Sequence, residues 1–231
     1  MDTAGATLSL ALLVDGEVAA EAAFRAGHTM SRRILCEIDA LLDACGVTLD
    51  DVGAFAATLG PGSFTGVRTG LATCRALAWA AHKPAAGANT LAVLAMNAAG
   101  RPGRIVAALD ARKSEVYFAV YVWDGDRPRE LRPPDVLPPA RAVEVLRRMA
   151  RPAAEPLWCL GDGAPLLWTA GLAGVPGAEP EPLAVHHVPR AAHLGALVFD
   201  EVARAVAEGA SERYSPLLLQ PLYVRPSEAE V

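Results

Sequence analysis

The residues with the clearest chemical potential form one run, Gly60-Pro61-Gly62-Ser63-Phe64-Thr65-Gly66-Val67-Arg68, which joins a stretch of strand character, Val52 to Leu59, to an alanine-rich helical pattern from Val67 to Ala81. The start of a helix leaves backbone N–H groups without intrahelical partners, so a loop in this place favours an anion. Its three glycines would let a phosphate approach the backbone, or would let the chain turn tightly enough to dock the helix on a sheet. The chemistry alone leaves both readings open. Two other loops are excluded. A Walker A loop needs Lys directly after its second Gly, where Val67 stands, and a nucleophile elbow around Ser63 needs Gly at 61 and 65, where Pro61 and Thr65 stand. Ser63 therefore reads as a capping or loop-stabilising hydroxyl rather than a nucleophile.

Other groups offer less. His186-His187 and His193 supply ligand nitrogens, yet Pro189 interrupts them and no carboxylate or Cys sits beside them at ligand spacing. Gly161-Asp162-Gly163 follows a strand pattern and suits a plain turn as well as an approach to a nucleotide. Asp110 and Glu115 flank a hairpin turn and read as surface groups. Cys36, Cys45, Cys74 and Cys159 are widely spaced without a CxxC pair, and three lie inside apolar helical patterns, as small buried hydrophobes of a reducing compartment do.

The elements that must position these residues alternate. Leu8 to Val14, Asp15-Gly16 and Glu17 to Phe24 predict a hairpin, since Asp-Gly supplies the positive φ angles of a type I′ turn. Thr29 or Ser31 would cap a helix whose apolar positions, Ile34, Leu35, Ile38, Leu41, Leu42 and Cys45, stop at Gly46. Asn89-Thr90 starts a further helix through Ala99. Ile105 to Asp110 and Glu115 to Trp123 predict a second hairpin, and the Pro- and Arg-rich stretch from Asp124 to Pro139 a loop or edge excursion. Helices at Ala140 to Met149 and Ala191 to Glu208 and a strand at Leu157 to Leu160 complete a second half that restarts the plan of the first. The expected division is a lobe of residues 1–102 and a lobe of residues 103–231, with the helix at 191–208 packing back on the first.

Composition narrows the function. With 52% hydrophobic and 20% charged residues, the 231-residue chain should fold around a sizeable core. A net charge of −5 argues against holding a nucleic-acid backbone unaided, and the arginines between Arg127 and Arg148 sit among prolines and acids rather than on a clean basic face. The N-terminus lacks a basic flank and its apolar run is too short for a signal core, so a cytoplasmic protein without a membrane partner is expected.

The run from Gly60 to Arg68, continued by Thr69-Gly70-Leu71-Ala72-Thr73, resembles the GPGSFTGVR signature of the TsaB family. The flanks are similar too: Asp2-Thr3-Ala4, His28-Thr29, Leu109-Asp110-Ala111-Arg112 with Glu115-Val116-Tyr117, and Leu222-Tyr223-Val224-Arg225, so the likeness covers nearly the whole chain. It implies an α/β, two-lobed sugar kinase/Hsp70/actin-like fold, each lobe a mixed sheet with helices. It further implies a non-catalytic scaffold or activator for threonylcarbamoyl transfer to adenosine 37 of tRNAs reading ANN codons. Such a subunit acts in a complex with TsaD, meets TsaE, meets tRNA only through that complex, and self-associates as a homodimer. No intrinsic cofactor is expected; ATP or ADP would belong to the TsaD interface.

In TsaD the glycine loop and helix are followed by a metal-binding HxxxH pair. The corresponding stretch here, Gly87 to Ala95, has no His, Asp or Glu, and a metal that activates a transferred group needs converging ligands. The resemblance therefore implies neither catalytic nor metal residues. It places the partner face on the first two helices, at Arg33, Ile34, Glu37, Arg68, Leu71 and Arg75. Leu35, Leu42, Leu71, Leu77 and Trp79 cannot all face one sheet, so part of them should be exposed. One departure stands out: the family has a few apolar residues ahead of its DT pair, forming a first strand, where this chain has Met1. A start assigned too late, with a sheet position left short, is the expectation. The rival readings are a glycoprotease-like hydrolase, a small-molecule kinase or a degenerate nucleotide-binding regulator. The first two lack the histidines, or the carboxylate base with phosphate loops in both lobes, that they require.

Overall fold

The computed structural model describes residues 1–150 and 155–224, so Arg225 of the terminal motif lies outside the described residues. Two compact units result: Met1–Val93 with Arg190–Leu222, and Leu94–Pro189 with Tyr223 and Val224. The division falls at Val93/Leu94 rather than at residue 102, and the segment from Arg190 to Leu222, which contains the helix expected to pack back on the first lobe, belongs to the first unit.

In the first unit, β1 (Thr7–Val14) and β2 (Glu17–Arg25) pair antiparallel through a turn in which Asp15 (φ 52°) and Gly16 (φ 85°) both take the left-handed conformation that the hairpin needs. Helix α1 (Met30–Ala44) lays Met30 and Ile34 on Leu8 and Leu10, and Gly46 follows its end at φ 65°. Thr29 precedes it without capping: its hydroxyl donates to the Ala26 carbonyl at 2.7 Å. Strand β3 (Phe55–Thr58), shorter than the apolar stretch around it, pairs parallel with β4 (Ala85–Ala88) across helix α2 (Phe64–Ala80). That helix starts three residues earlier than the glycines suggest, because Ser63 caps it with an oxygen that accepts from Gly66 N at 3.3 Å. Helix α3 (Thr90–Ala95) follows β4, and α6 (Ala191–Ala207) packs on β1, β3 and β4. The unit thus holds two separate two-stranded sheets.

The second unit holds a five-stranded sheet, in the order β7-β6-β5-β8-β9. Strands β5 (Arg104–Arg112) and β6 (Glu115–Asp124) form the expected hairpin, and β8 (Leu157–Leu160) and β9 (Ala178–Pro180) extend the sheet in parallel. The stretch read as a loop or edge excursion is an eleven-residue edge strand, β7 (Arg127–Leu137). Its prolines are tolerated because an edge strand has one ladder to satisfy, and Pro133-Pro134 fall where the register slips between Phe118 and Val120. Helices α4 (Pro139–Met149) and α5 (Ala164–Thr169) cover one face, packing Val143, Leu146 and Leu167 over Val106 and Phe118.

Candidate functional site

The glycine loop is closed by the chain itself. Gly62, Gly66 and Gly70 recur every fourth residue and so share one face at the start of α2, and the segment Thr3-Ala4 lies on that face. A Cβ at these positions would stand 2.5 Å from the Ala4 carbonyl oxygen, 2.1 Å from the Thr3 carbonyl oxygen and 2.2 Å from Thr3 Oγ1, distances that side chains do not adopt. Thr3 Oγ1 donates to Gly66 O at 2.8 Å, and Ser63 N donates to Ala4 O at 2.7 Å. Gly60, joined to Pro61 by a cis peptide bond, is tied on its other side: its N–H donates to Thr90 Oγ1 at 3.1 Å, while Thr90 N donates to Gly60 O at 2.8 Å. Of the two readings left open by composition, close docking of helix on chain accounts for these glycines.

Asp2 lies beneath this loop, 1% exposed. Its Oδ1 accepts from Thr58 Oγ1 at 2.6 Å and from Ala4 N at 3.4 Å, whereas Oδ2 has no hydrogen-bond partner among the described residues. Burial pushes its pKa up to about 6, against the opposing pull of the Thr58 hydroxyl and the Ala4 N–H. The carboxyl therefore changes protonation near neutral pH inside a packed interior. Sequence reasoning assigned it no role, although the run Asp2-Thr3-Ala4 was the available signal.

The expected partner residues separate into two groups. Ile34 and Leu71 are core residues, 2% and 4% exposed, because each sits on the apolar stripe its helix turns to the sheet; neither forms surface in the free chain. Arg33 is half-exposed, paired with Glu37 one turn on and 5.0 Å over the Phe24 ring. Arg68 and Arg75 are exposed, and the Arg68 guanidinium stacks 3.9 Å over the Phe64 ring. Of the five apolar residues that could not share one face, Leu42 and Leu71 are buried while Leu35 and Trp79 are 54% and 62% exposed. On α2 the exposed residues Phe64, Arg68, Ala72, Arg75 and Trp79 follow a spacing of four, four, three and four, which places them along one side of the helix. The adjoining side, about a quarter of a turn round the helix, carries Val67, Leu71, Cys74 and Ala78, all buried.

Other candidates resolve into structure. His186 and Arg101 both engage the Glu181 carboxylate, and His187 bonds with the Gly161 backbone and the Glu181 carbonyl. Asp162 accepts from Asp110 N at 2.9 Å and so closes a turn. Among the described residues no three His, Cys, Asp or Glu side chains converge as metal ligands would, and no helix is long and apolar enough to cross a membrane. Cys74 and Cys159 are buried, as expected, whereas Cys36 is exposed. In the stretch aligned with the histidine pair, Leu91 and Val93 are wholly enclosed.

The family model described as TsaD: tRNA N6-adenosine threonylcarbamoyltransferase matches residues 11–156. The chain is 37% identical over 145 residues to the tRNA threonylcarbamoyladenosine biosynthesis protein TsaB of Escherichia coli (strain K12), a match covering 59% of this chain and 62% of that protein. It is 31% identical over 152 residues to the protein of the same description from Bacillus subtilis (strain 168), covering 66% of each. Those matches span just under two thirds of the length of these curated relatives. The structure of YeaZ from Pseudomonas aeruginosa superposes with a TM-score of 0.75 at 30% identity, covering 96% of both chains.

Proposed function

The chain belongs to the TsaB (YeaZ) family and has an α/β fold of the sugar kinase/Hsp70/actin-like class, and on that premise we propose that it serves threonylcarbamoyladenosine formation in tRNA as a non-catalytic partner subunit. The observation that carries the reading is the exposed stripe Phe64, Arg68, Ala72, Arg75 and Trp79 on α2. Large exposed rings at either end of a pair of arginines have the composition of a protein interface core, in which aromatic residues and Arg are enriched. The occupant proposed is the threonylcarbamoyltransferase of the same cell, with the ATPase subunit TsaE or a second copy of this chain as further partners. Substrate tRNA then meets the complex rather than this chain, and ATP or ADP is held at the interface.

What supports the absence of chemistry in this subunit is the packing of its glycine loop: Ser63 N–H is taken by Ala4 O, Gly66 N–H by Ser63 Oγ, and Thr3 and Ala4 stand against Gly62 and Gly66 on the face an anion would approach. The test is co-purification with the threonylcarbamoyltransferase of the same organism, using Trp79→Asp and Phe64→Asp, alongside mass spectrometry of tRNA nucleosides. Loss of the complex and of the modified nucleoside, with folding intact, is the expected result. Turnover of a nucleotide or peptide by the purified chain, without any complex, would replace this reading with an enzyme.

A further inference from the structure

The longest free sheet edges among the described residues belong to β7 and β2, and the two are guarded differently. β7 carries Pro128, Pro133 and Pro134, and its register slips against β6, devices that keep another strand away. β2 holds no proline and reads Val-Ala-Ala-Glu-Ala-Ala-Phe between Glu17 and Arg25. Val18, Ala19, Ala23 and Arg25 are exposed, and among the described residues the strand pairs with β1 alone. An edge of this kind is open to a further strand.

The hydrogen bonds of β1 fix which backbone groups of β2 are offered. Ala26 N donates to Ala6 O at 3.1 Å, one step beyond the Thr7–Arg25 pair. Ser9, opposite Ala23, exchanges both of its groups with Asp2 at 2.8 and 2.9 Å. Antiparallel ladders alternate bonded and non-bonded pairs, so Ala20, Ala22 and Phe24 turn to β1, while Glu21, Ala23 and Arg25 turn N–H and C=O outward. The register shift between Leu12 and Leu13 makes Ala19 the extra residue of a bulge and leaves Ala20 to Arg25 as the regular part. On the other side of the hairpin, Leu12 and Leu13 of β1 line a cavity of about 600 Å³ that no residue of β2 reaches.

Turned end for end about Ala23, this edge matches itself. Ala23 would exchange both bonds with Ala23 of the second strand, and Glu21 with Arg25, so that the outward groups of all three residues find partners. The Glu21 carboxylate lies where Ala192 N donates to it at 3.3 Å and Arg190 Nε at 3.1 Å, and alternation puts Arg25 on the same face of the strand. Directly opposite residues share a face, so the Arg25 guanidinium arrives beside a carboxylate with lone pairs to spare. On the other face Ala22 meets Phe24, a small residue against a ring. Shifted two residues toward the turn, Arg25 would meet the bulge at Ala19 and the charge pairs would be lost.

We propose that the free edge of β2 pairs antiparallel with β2 of a second copy of this chain, about a two-fold axis at Ala23, joining the two hairpins into one continuous sheet. One strand edge per copy buries less than about 1,200 Å², the size of weak, reversible contacts. The contact is separate from the outward side of α2 and does not rest on the partner role proposed for that side.

Sedimentation equilibrium of the chain should show two copies predominating at about 500 µM and one at about 5 µM. Amide exchange at Glu21, Ala23 and Arg25 should slow about tenfold or more between the lower and the higher concentration. Arg25→Glu sets a carboxylate against Glu21 and should weaken association about tenfold, whereas Arg25→Lys should keep it. Ala23→Pro removes the central donor without touching a bond to β1 and should abolish association. Should that chain fail to fold, the two variants of the exposed Arg25 decide. Trp79→Asp should associate as the parent does. A chain that stays single at the higher concentration, dimers that survive Arg25→Glu or are lost in Trp79→Asp, or protection of the three amides only when the transferase is added, overturns the proposal.

Discussion

In the second unit the central strand β5 is bonded along both edges, and Ile105, Val106, Ala107 and Ala108 are fully enclosed. In the first unit the corresponding place holds Met1 and Asp2, and Leu12 and Leu13 of β1 remain only half-buried beside the cavity. The leucines are no less apolar than the residues of β5. What separates the two regions is the neighbour each strand has, since burial is conferred by the next strand and the covering helices rather than by a residue's own hydrophobicity.

The widest test of that contrast is truncation in each sheet. Phe118→Ala, in the enclosed core of the second unit, should cost about 3–5 kcal/mol in urea unfolding. Leu12→Ala, beside the cavity of the first, should cost roughly 1 kcal/mol, because less surface leaves water when its neighbours are in place. Equal costs would show that the first sheet is as well packed in solution as the second.

Glycines sharpen the comparison at the next scale. Each unit turns a glycine loop against the end of its central segment: Gly66 against Thr3, and Gly161, at φ 104°, against the Ala108 carbonyl 1.9 Å from where a Cβ would stand. Gly66→Ala should cost about 2–3 kcal/mol, since overpacking must push backbone aside. Gly46→Ala, with open space around it but φ 65°, should cost about 1 kcal/mol. A Gly66→Ala chain as stable as the parent would remove close packing as the reason for the motif.

Much of this was legible from residue types alone. Asp15-Gly16 announced the first hairpin, and the spacing from Ile34 to Cys45 the first helix, because turn chemistry and helical periodicity act locally. The edge strand Arg127–Leu137 was legible only as one of two alternatives, a loop or an edge excursion, since prolines read as breakers unless one knows that a single ladder needs satisfying. Nor was the burial of Ile34 and Leu71. Apolar residues on an amphipathic helix can face core or partner, and only the position of the sheet decides. The role of the glycines stayed divided between anion and packing until Thr3 and Ala4 were seen to occupy the face.

Two enclosed carboxylates carry the contrast into pH. Asp2 has a folded pKa of about 6 against the ordinary 3.8, so between those values the folded chain keeps a proton that the unfolded chain has released. Stability should therefore fall as pH rises from about 4 to 6, by on the order of 2 kcal/mol, and stay level above. Glu181 behaves oppositely. Burial alone would raise its pKa, but the Leu183 N–H, Arg101 and His186 outweigh it and hold the group at about 2 against 4.5. Its contribution, also of order 2 kcal/mol, is present above pH 4.5 and lost as pH falls toward 2. Asp2→Asn should flatten the first limb and Glu181→Gln the second; urea titrations across pH that kept both limbs in both variants would assign the titrations to other groups.

The smallest effect on folding falls on the exposed side of α2. Trp79 is 62% exposed, and its replacement by Asp removes little buried area, so the melting temperature should stay within about 0.5 kcal/mol equivalent of the parent. Leu71→Asp, on the buried side of the same helix, places a carboxylate among Val67, Cys74 and Ala78 and should unfold the first unit. The pair of variants separates the face this helix needs for its own core from the face it presents outward. A Trp79→Asp chain that folds and still binds the transferase as tightly as the parent would leave the exposed stripe without the role assigned to it. One that folds and releases the partner would place a hot spot at that ring, where an exposed aromatic residue one turn from an arginine can lose about 2 kcal/mol or more of binding on truncation.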